Sequence, residues 1–483
     1  MPHELTRVKT GVEGLDVVLR GGLVAGTSYI IQGHPGAGKT ILSNQIAFHH
    51  AASGQHVLYV TLLAESHERL FENLSTLAFF DPSKLGNGIN YVSAFTTLRD
   101  EGLTAVVKLL RQEIGRTKST LLILDGLLNA REKAESNLDV KTFIAELQGH
   151  AAFAGCTVLF LTSSRMDESS PEHTMVDGVI QLKDEIFGVR SARRLQVRKS
   201  RGVKAMHGYH QFEILDRGMV VYPRLEAVLG QPSMPDSPTT ARTTSGVADL
   251  DEMMGSGLQQ GSGTLIIGAS GTGKTTLGLH FLAHSTPEEP ALHFGFYETP
   301  ERLKLKARSL GLDFDPLVAS GALEIMWQPI TENLLDGLAH KLLEAVRRRG
   351  VKRLFIDGFG GFERAALEPS RMVEFFTALT NELRALNVTT LGTWELTDLF
   401  SRQIQAPSPE ISSLLDNLIT LRFVDQHSRL RRLLSILKVR DSAFDPSFRE
   451  LAISSQGISL PDTFEGSEHA LEGTPRLDGR TRS

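Results

Sequence analysis

The chain states one pattern twice. Residues 10–40 read TGVEGLDVVLRGGLVAGTSYIIQGHPGAGKT, and residues 245–275 read SGVADLDEMMGSGLQQGSGTLIIGASGTGKT. Gly-Val, Leu-Asp, a Gly-rich turn, an apolar run and a loop ending Gly-Lys-Thr follow in the same order. The offset is constant across the stretch, since 251 − 16 = 235 and 274 − 39 = 235. Solenoid units repeat every 20–50 residues or so, so a period this long is a whole domain, and the 483 residues hold two copies of one fold. Later landmarks keep step. LLILDG (121–126) and RLFIDG (353–358) are apolar runs ending in aspartate, and Lys-x-Arg occurs at Lys199/Arg201 and again at Lys438/Arg440. The expected boundaries are an N-terminal domain at 1–222, a Pro/Ser/Thr-rich linker at 223–243, a C-terminal domain at 244–460 and a flexible polar tail at 461–483.

Within each copy, short apolar runs such as HVLYVTLL and TVLFLTSS alternate with helical patterns such as SHERLFENLSTL. Runs apolar on both faces and separated by helices read as a parallel sheet covered on both sides. The expected class is therefore α/β, twice over, each domain with a largely parallel central sheet flanked by helices. Composition narrows the function. Apolar residues are 41% and charged residues 22%, which excludes wholesale disorder. The formal charge of −5 and the lack of a basic-aromatic stripe argue against a nucleic-acid partner. A single cysteine, Cys156, excludes a disulfide framework and a Cys-rich zinc site. The opening MPHELTRVKTG lacks a signal-peptide core and no apolar run approaches the roughly 18–20 residues of a membrane span, so a cytoplasmic location is expected.

Both Gly-rich loops, GHPGAGKT (33–40) and GASGTGKT (268–275), satisfy G-x-x-x-x-G-K-[ST]. Each follows an apolar run and precedes a helical one, the context in which this pattern cradles phosphate rather than making a plain turn. Gly33, Gly36 and Gly38, with Gly268, Gly271 and Gly273, let successive N–H groups face phosphate oxygens at a helix N-terminus. Lys39 and Lys274 are expected to reach the β- and γ-phosphates of ATP; Thr40 and Thr275 to ligate Mg2+, with Thr276 beside them. Asp125 and Asp357, ending the later apolar strands, are candidates to hold Mg2+ through water, or are plain turn caps. Hydrolysis also needs a group to orient water. Glu65 and Glu298 fill the same step of the repeat (298 − 65 = 233), while Glu68 and Glu301 fit capping-box acids. Trp327, Trp394 and the phenylalanines are expected in the core.

Taken together, the G-V-x-x-L-D openings, both loops, the Glu-Ser and Glu-Thr-Pro steps, the Asp strands and the K-x-R pairs resemble the KaiC family of RecA-superfamily ATPases, known from the bacterial circadian clock. The likeness spans about residues 8–455. It implies two RecA-like domains and a homo-oligomer, six chains in a double ring with ATP at the interfaces between them. Lys199, Arg201, Lys438 and Arg440 match the family's trans-acting pairs, which reach a neighbour's γ-phosphate. Ser412 and Ser413 fall on the adjacent Ser/Thr pair that becomes autophosphorylated in the second domain. Kai-type or other signalling partners follow from the same resemblance.

This sequence also departs from the family pattern. Two adjacent glutamates are usual at the catalytic step, but Ala64 and Tyr297 replace the first of them here. The phosphorylated pair is Ser-Ser where Ser-Thr is typical, and Pro407 and Ser408 stand at the family's Thr-Asp step. The expected activity is thus slow ATP hydrolysis with Ser autokinase activity, in signalling or timekeeping. Two alternatives stay open: a RecA-like DNA-repair or recombination ATPase, and a nucleotide-sensing scaffold with little hydrolysis. Arg193–Arg194 and Arg431–Arg432 recur at one step of both halves, as an interface or a solvated charged face.

Overall fold

The computed structural model describes residues 5–64, 66–163, 170–396, 414–426, 429–440 and 442–461. The chain divides into two compact units, Met1–Arg224 and Leu225–Ser483. Each is built on one large sheet wrapped by helices, with small two-stranded sheets beside it.

In the first unit the sheet has nine strands. From one edge the order is Gly218–Tyr222, Tyr209–Leu215, Arg190–Ser200, Gly178–Phe187, Ser28–Gly33, Thr157–Thr162, Leu121–Asp125, Val57–Thr61 and Ile89–Ser93. Pairing is parallel from Gly178–Phe187 to Ile89–Ser93 and antiparallel beyond it. The second unit repeats this plan with eight strands: Leu323–Trp327, Ala291–Gly295, Arg353–Asp357, Thr389–Glu395, Gly263–Gly268, Asn417–Gln426, Arg429–Val439 and Arg449–Glu450. Both units are thus α/β with a parallel centre. The antiparallel extension on one side was not distinguishable from more parallel strands in the sequence.

Side chains alternate across a strand, and the core divides accordingly. Leu265, Ile267, Leu354 and Ile356 join the cluster on one face of the second sheet. Ile266 and Phe355 join the cluster on the other. Burial on both faces explains why these strands read as unbroken apolar runs, each large side chain contributing roughly 1.5–3 kcal/mol. The helix Leu335–Arg349 shows the complementary pattern. Leu335, Leu338, Leu342 and Val346 recur every three or four residues on its buried face. Its last turn carries Arg347, Arg348 and Arg349, favourable to the helix dipole, and it stops at Gly350, whose φ of 62° suits a left-handed cap.

The segment 223–243 does not run free along its length. Its helix Leu225–Val228 buries Leu225 in the second unit's core. The Leu225 N–H donates to Asp336 Oδ1 at 3.0 Å. Arg371 bridges Asp336 and Glu226, with its contacts to both at 3.0 Å. Further on, Ser233 donates through N and Oγ to Glu382 at 2.7 and 2.6 Å.

Two expectations are corrected. Trp394 is buried, but Phe153 is 95% exposed at the end of the helix Asn137–Phe153, and Trp327 is 39% exposed. It ends an edge strand, where one side has no neighbouring strand to cover it, and its Nε1 donates to the Phe296 carbonyl at 3.2 Å. Glu68 and Glu301 form no capping box. The caps are Ser66 and Thr299, so both acids fall at the second helical position, one short of the place a capping box needs, and neither cap side chain bonds the helix. Their charges still favour the helix N-termini.

One buried group makes the second unit acid-sensitive. His293, on the strand Ala291–Gly295, is enclosed, and neither ring nitrogen has a hydrogen-bond partner among the described residues. Burial, reinforced by the charge of Lys306, depresses its imidazole to about 3. An unfolded histidine protonates near 6.5. Below that pH the unfolded chain therefore binds more protons, and stability falls as pH drops from about 6.5 towards 3. The expected slope is about 1.4 kcal/mol per pH unit, vanishing above about pH 7. Urea unfolding from pH 7.5 to 5 measures it, and His293→Leu is expected to remove this component.

Candidate active site

Parallel sheets bind ligands in the crevice at the carboxyl ends of their strands, where the strand order reverses. The Gly-rich loops sit there in both units, each between the central strand and a helix: Ser28–Gly33 and Lys39–Ala52, then Gly263–Gly268 and Lys274–Ala283. The helix caps Gly38 and Gly273 have φ of 98° and 109°, and Gly36 and Gly271 have φ of 82° and 80°. Side-chain-bearing residues rarely adopt this left-handed backbone. Gly33 and Gly268 serve packing instead. A Cβ at Gly33 would lie 2.8 Å from the Leu182 carbonyl, and one at Gly268 2.5 Å from that of Leu421.

Each loop lysine folds over its own loop. Lys39 Nζ donates to the carbonyls of Gly33 and His34 at 2.9 and 3.0 Å. Lys274 Nζ donates to those of Gly268 and Ala269, both at 2.8 Å. Burial lowers both ammonium groups, against the opposing charges of Asp125 in the first unit and of Glu395 and Asp357 in the second. A cation held over a cradle of N–H groups is the arrangement that takes phosphate oxygens.

The strand-end aspartates stand beside the loops. Asp357 Oδ1 accepts from Thr275 Oγ1 at 3.2 Å and from Thr393 Oγ1 at 2.9 Å. Burial pushes its carboxyl up, against these two hydrogen bonds. A buried carboxylate beside a loop hydroxyl fits a divalent cation that supplies the missing charge. Among the described residues no group of three His, Cys, Asp or Glu forms a metal cage. Mg2+ keeps its waters and takes one or two protein ligands plus phosphate. In the first unit Asp125 is held differently. Tyr59 Oη donates to its Oδ2 at 3.3 Å, and Tyr59 itself packs against Ser43 and Asn44 on the loop helix. Thr40 is the second residue of that helix. Thr276, the third residue of the second loop helix, is buried.

Of the carboxylates expected to orient water, Glu65 lies outside the described residues. Glu298 is ion-paired with Lys306 at 2.8 Å. Tyr297, two residues after the strand Ala291–Gly295, is half exposed, and its ring rests against Gly358, where a Cβ would meet it at 2.6 Å.

The K-x-R pairs stand apart from the loops of their own units. Lys199 pairs with Val179, which pairs with Ile30, three residues before the first loop opens. Lys438 likewise pairs with Leu418 and through it with Leu265, three residues before Gly268. At about 3.3 Å per residue the pairs sit roughly 10 Å back along the sheet, towards its opposite end. The chain does not bring them to their own phosphate loops. Both pairs are held alike. Lys199 Nζ donates to the carbonyls of His173 and Thr174 at 2.9 and 3.1 Å, and Lys438 Nζ to that of Leu415 at 2.7 Å. Arg201 lies 3.8 Å from Asp177, and Arg440 3.1 Å from Asp416.

Those two aspartates escaped the sequence reading. Besides facing the arginines, Asp177 accepts from Ser28 N and Asp416 from Gly263 N, at 3.0 and 2.9 Å, pinning the start of each loop strand. Their offset, 416 − 177 = 239, equals that of the K-x-R pairs and is the signal that would have found them. Arg432 was also undervalued. Its Nε donates to the Gly271 carbonyl at 3.1 Å and its guanidinium lies over Phe423. Arg194 stacks on Phe187 and Tyr209 and pairs with Glu185, while Arg431 pairs with Glu450. Ser412 and Ser413, with Pro407 and Ser408, lie outside the described residues.

The family model "ATPase: KaiC" matches residues 8–226 and again 243–463. Similar proteins include the circadian clock oscillator protein KaiC of Rippkaea orientalis, 26% identical over 97% of this chain and 91% of its own. The protein of the same name from Synechococcus elongatus is 25% identical over 98% and 92%. Circadian clock oscillator protein KaiC 1 of Synechocystis is 27% identical over 97% and 92%. With paired phosphate loops, paired strand-end aspartates and a model that matches both halves, the chain belongs to the KaiC ATPase family.

Proposed function

We propose that this chain binds ATP with Mg2+ in both halves and hydrolyses it slowly, as a ring-shaped homo-oligomer, six chains by family analogy, whose sites are completed between copies. We further propose that Ser412 and Ser413 accept phosphate in the second half, and that the protein acts in the cytoplasm as an ATP-driven signalling or timekeeping component. The observation that carries the reading is the separation of parts. Each unit has its loop and aspartate at one end of the sheet and its K-x-R pair well back towards the other. A head-to-tail neighbour brings the second set to the first, and such contacts close into rings.

In that arrangement Lys39 or Lys274 and the loop N–H groups hold the phosphates. Asp125 or Asp357 with the loop threonine holds Mg2+, which offsets charge on the transferring phosphoryl group. The neighbour's Lys199/Arg201 or Lys438/Arg440 adds charge at the γ-phosphate. Glu65 and Glu298 are the carboxylates offered by the loop after the second strand. Slow turnover is favoured by the engagement of Glu298 with Lys306 and by Tyr297 in place of a second acid.

The relatives' names place them in circadian clocks. For this chain the proposed partners are Kai-type or other signalling proteins. The test is solution mass with and without MgATP, followed by phosphosite mapping with labelled ATP on the same sample. The expected result is ATP-dependent assembly with label at 412–413. Assembly without label removes the autokinase, and a monomer that takes up no ATP removes the whole reading. Turnover unaffected by Glu65→Gln and Glu298→Gln together favours the scaffold alternative.

A further inference from the structure

The strand Thr389–Glu395 runs between the loop strand Gly263–Gly268 and the aspartate strand Arg353–Asp357. Whatever side chain ends it lies between the phosphate loop and the candidate magnesium carboxylate. That residue is Glu395, in register with Gly268. The next residue fixes its height, since Leu396 N donates to the Gly268 carbonyl at 3.1 Å. Two residues earlier on the same face, Thr393 holds Asp357.

Glu395 is exposed, and its carboxylate has no hydrogen bond or ion pair among the described residues. Its charge nevertheless acts on Lys274 ahead of that of Asp357, and on Tyr297 in the same order. A carboxylate stationed beside a triphosphate repels it unless it faces something with a proton to give. The water that attacks the γ-phosphorus is such a group. The other candidate in this half, Glu298, is already tied to Lys306. The first half differs at this point. The offset of the strand-end aspartates, 357 − 125 = 232, carries Glu395 back to Ser163.

Resting on the proposed ATP hydrolysis, we propose that Glu395 is the water-orienting carboxylate of the second half, a role with no counterpart in the first. The oxygen of a water held by Glu395 forms a bond to the γ-phosphorus as the bond from that phosphorus to the bridging β-phosphate oxygen breaks. The water proton passes to the Glu395 carboxylate and from there to the released phosphate. ADP leaves with the electron pair of the broken bond.

The test uses the full chain carrying Lys39→Ala, which confines turnover to the second half. In this background Glu395→Gln and Glu298→Gln are compared with the parent. Three quantities are read: affinity for a fluorescent ATP analogue, phosphate release, and the ATP:ADP ratio retained after rapid desalting. Glu395→Gln is expected to bind the analogue within about threefold of the parent and to release phosphate roughly 100-fold more slowly. It is also expected to shift the retained nucleotide from ADP to ATP, with a smaller change for Glu298→Gln. Release at the parent's rate overturns the proposal. Loss of analogue binding along with turnover overturns it as well, because the residue then holds the loop. A parent that binds no analogue overturns the ATP reading itself, and this inference with it.

Discussion

Alanine at Lys39 and Lys274 together is expected to abolish ATP-dependent assembly and to lower phosphate release by at least about 100-fold. The two ammonium groups lie over the loop carbonyls at 2.8–3.0 Å, so a triphosphate need only displace those weak acceptors to gain a full positive charge. The backbone cradle does not depend on them. The left-handed glycines at 36, 38, 271 and 273 hold the loop shape, and both lysines are only partly buried. Folding is therefore expected to survive within about 0.5 kcal/mol, which separates a binding defect from misfolding. The single variants divide the work. Lys274→Ala is expected to remove label at 412–413 outright, while Lys39→Ala leaves label formation in place wherever assembly persists. Equal labelling in both would show that the second loop does not supply the phosphate.

The largest stability effect is expected at Asp336. Its side chain is fully enclosed, accepts from Arg371 and from the Leu225 N–H, and has its carboxyl raised by burial against the pull of Arg371. Asp336→Ala leaves a largely enclosed guanidinium with Glu226 alone and strips Leu225 of its acceptor. Breaking a buried pair from one side costs about 3–5 kcal/mol, a large share of the roughly 5–15 kcal/mol that holds a domain together. Asp336→Asn keeps an acceptor for Leu225 and is expected to recover part of the loss. Urea unfolding of the second unit measures both, and a change under about 1 kcal/mol for the alanine variant would contradict the assignment.

What the sequence disclosed was local. A Gly-rich loop between an apolar run and a helical one needs no distant partner to be recognised. The duplication then supplied the register that made Asp125 and Asp357 credible. What stayed hidden depends on strands far apart in the chain coming side by side. Glu395 gains meaning only because its strand lies between two others that precede it by about 30 and 120 residues. Asp177 and Asp416 read as ordinary turn residues until their hydrogen bonds to the loop strands are known. Trp327 was assigned inward because aromatic rings usually are, and only the strand order reveals it at an edge. The capping acids were misplaced by a single position, which hydrophobic pattern does not resolve.

The solvent-facing edge position of Trp327 carries an optical dividend. The chain has only two indoles, both in the second sheet: Trp327, which ends its strand and is wetted, and Trp394, one residue short of the end of its own and enclosed. Intrinsic emission therefore reports on one of the twin sites while the other stays dark. Titrating wild-type protein with nucleotide, and watching a quencher such as iodide reach one ring and not the other, follows events in that half without any attached dye.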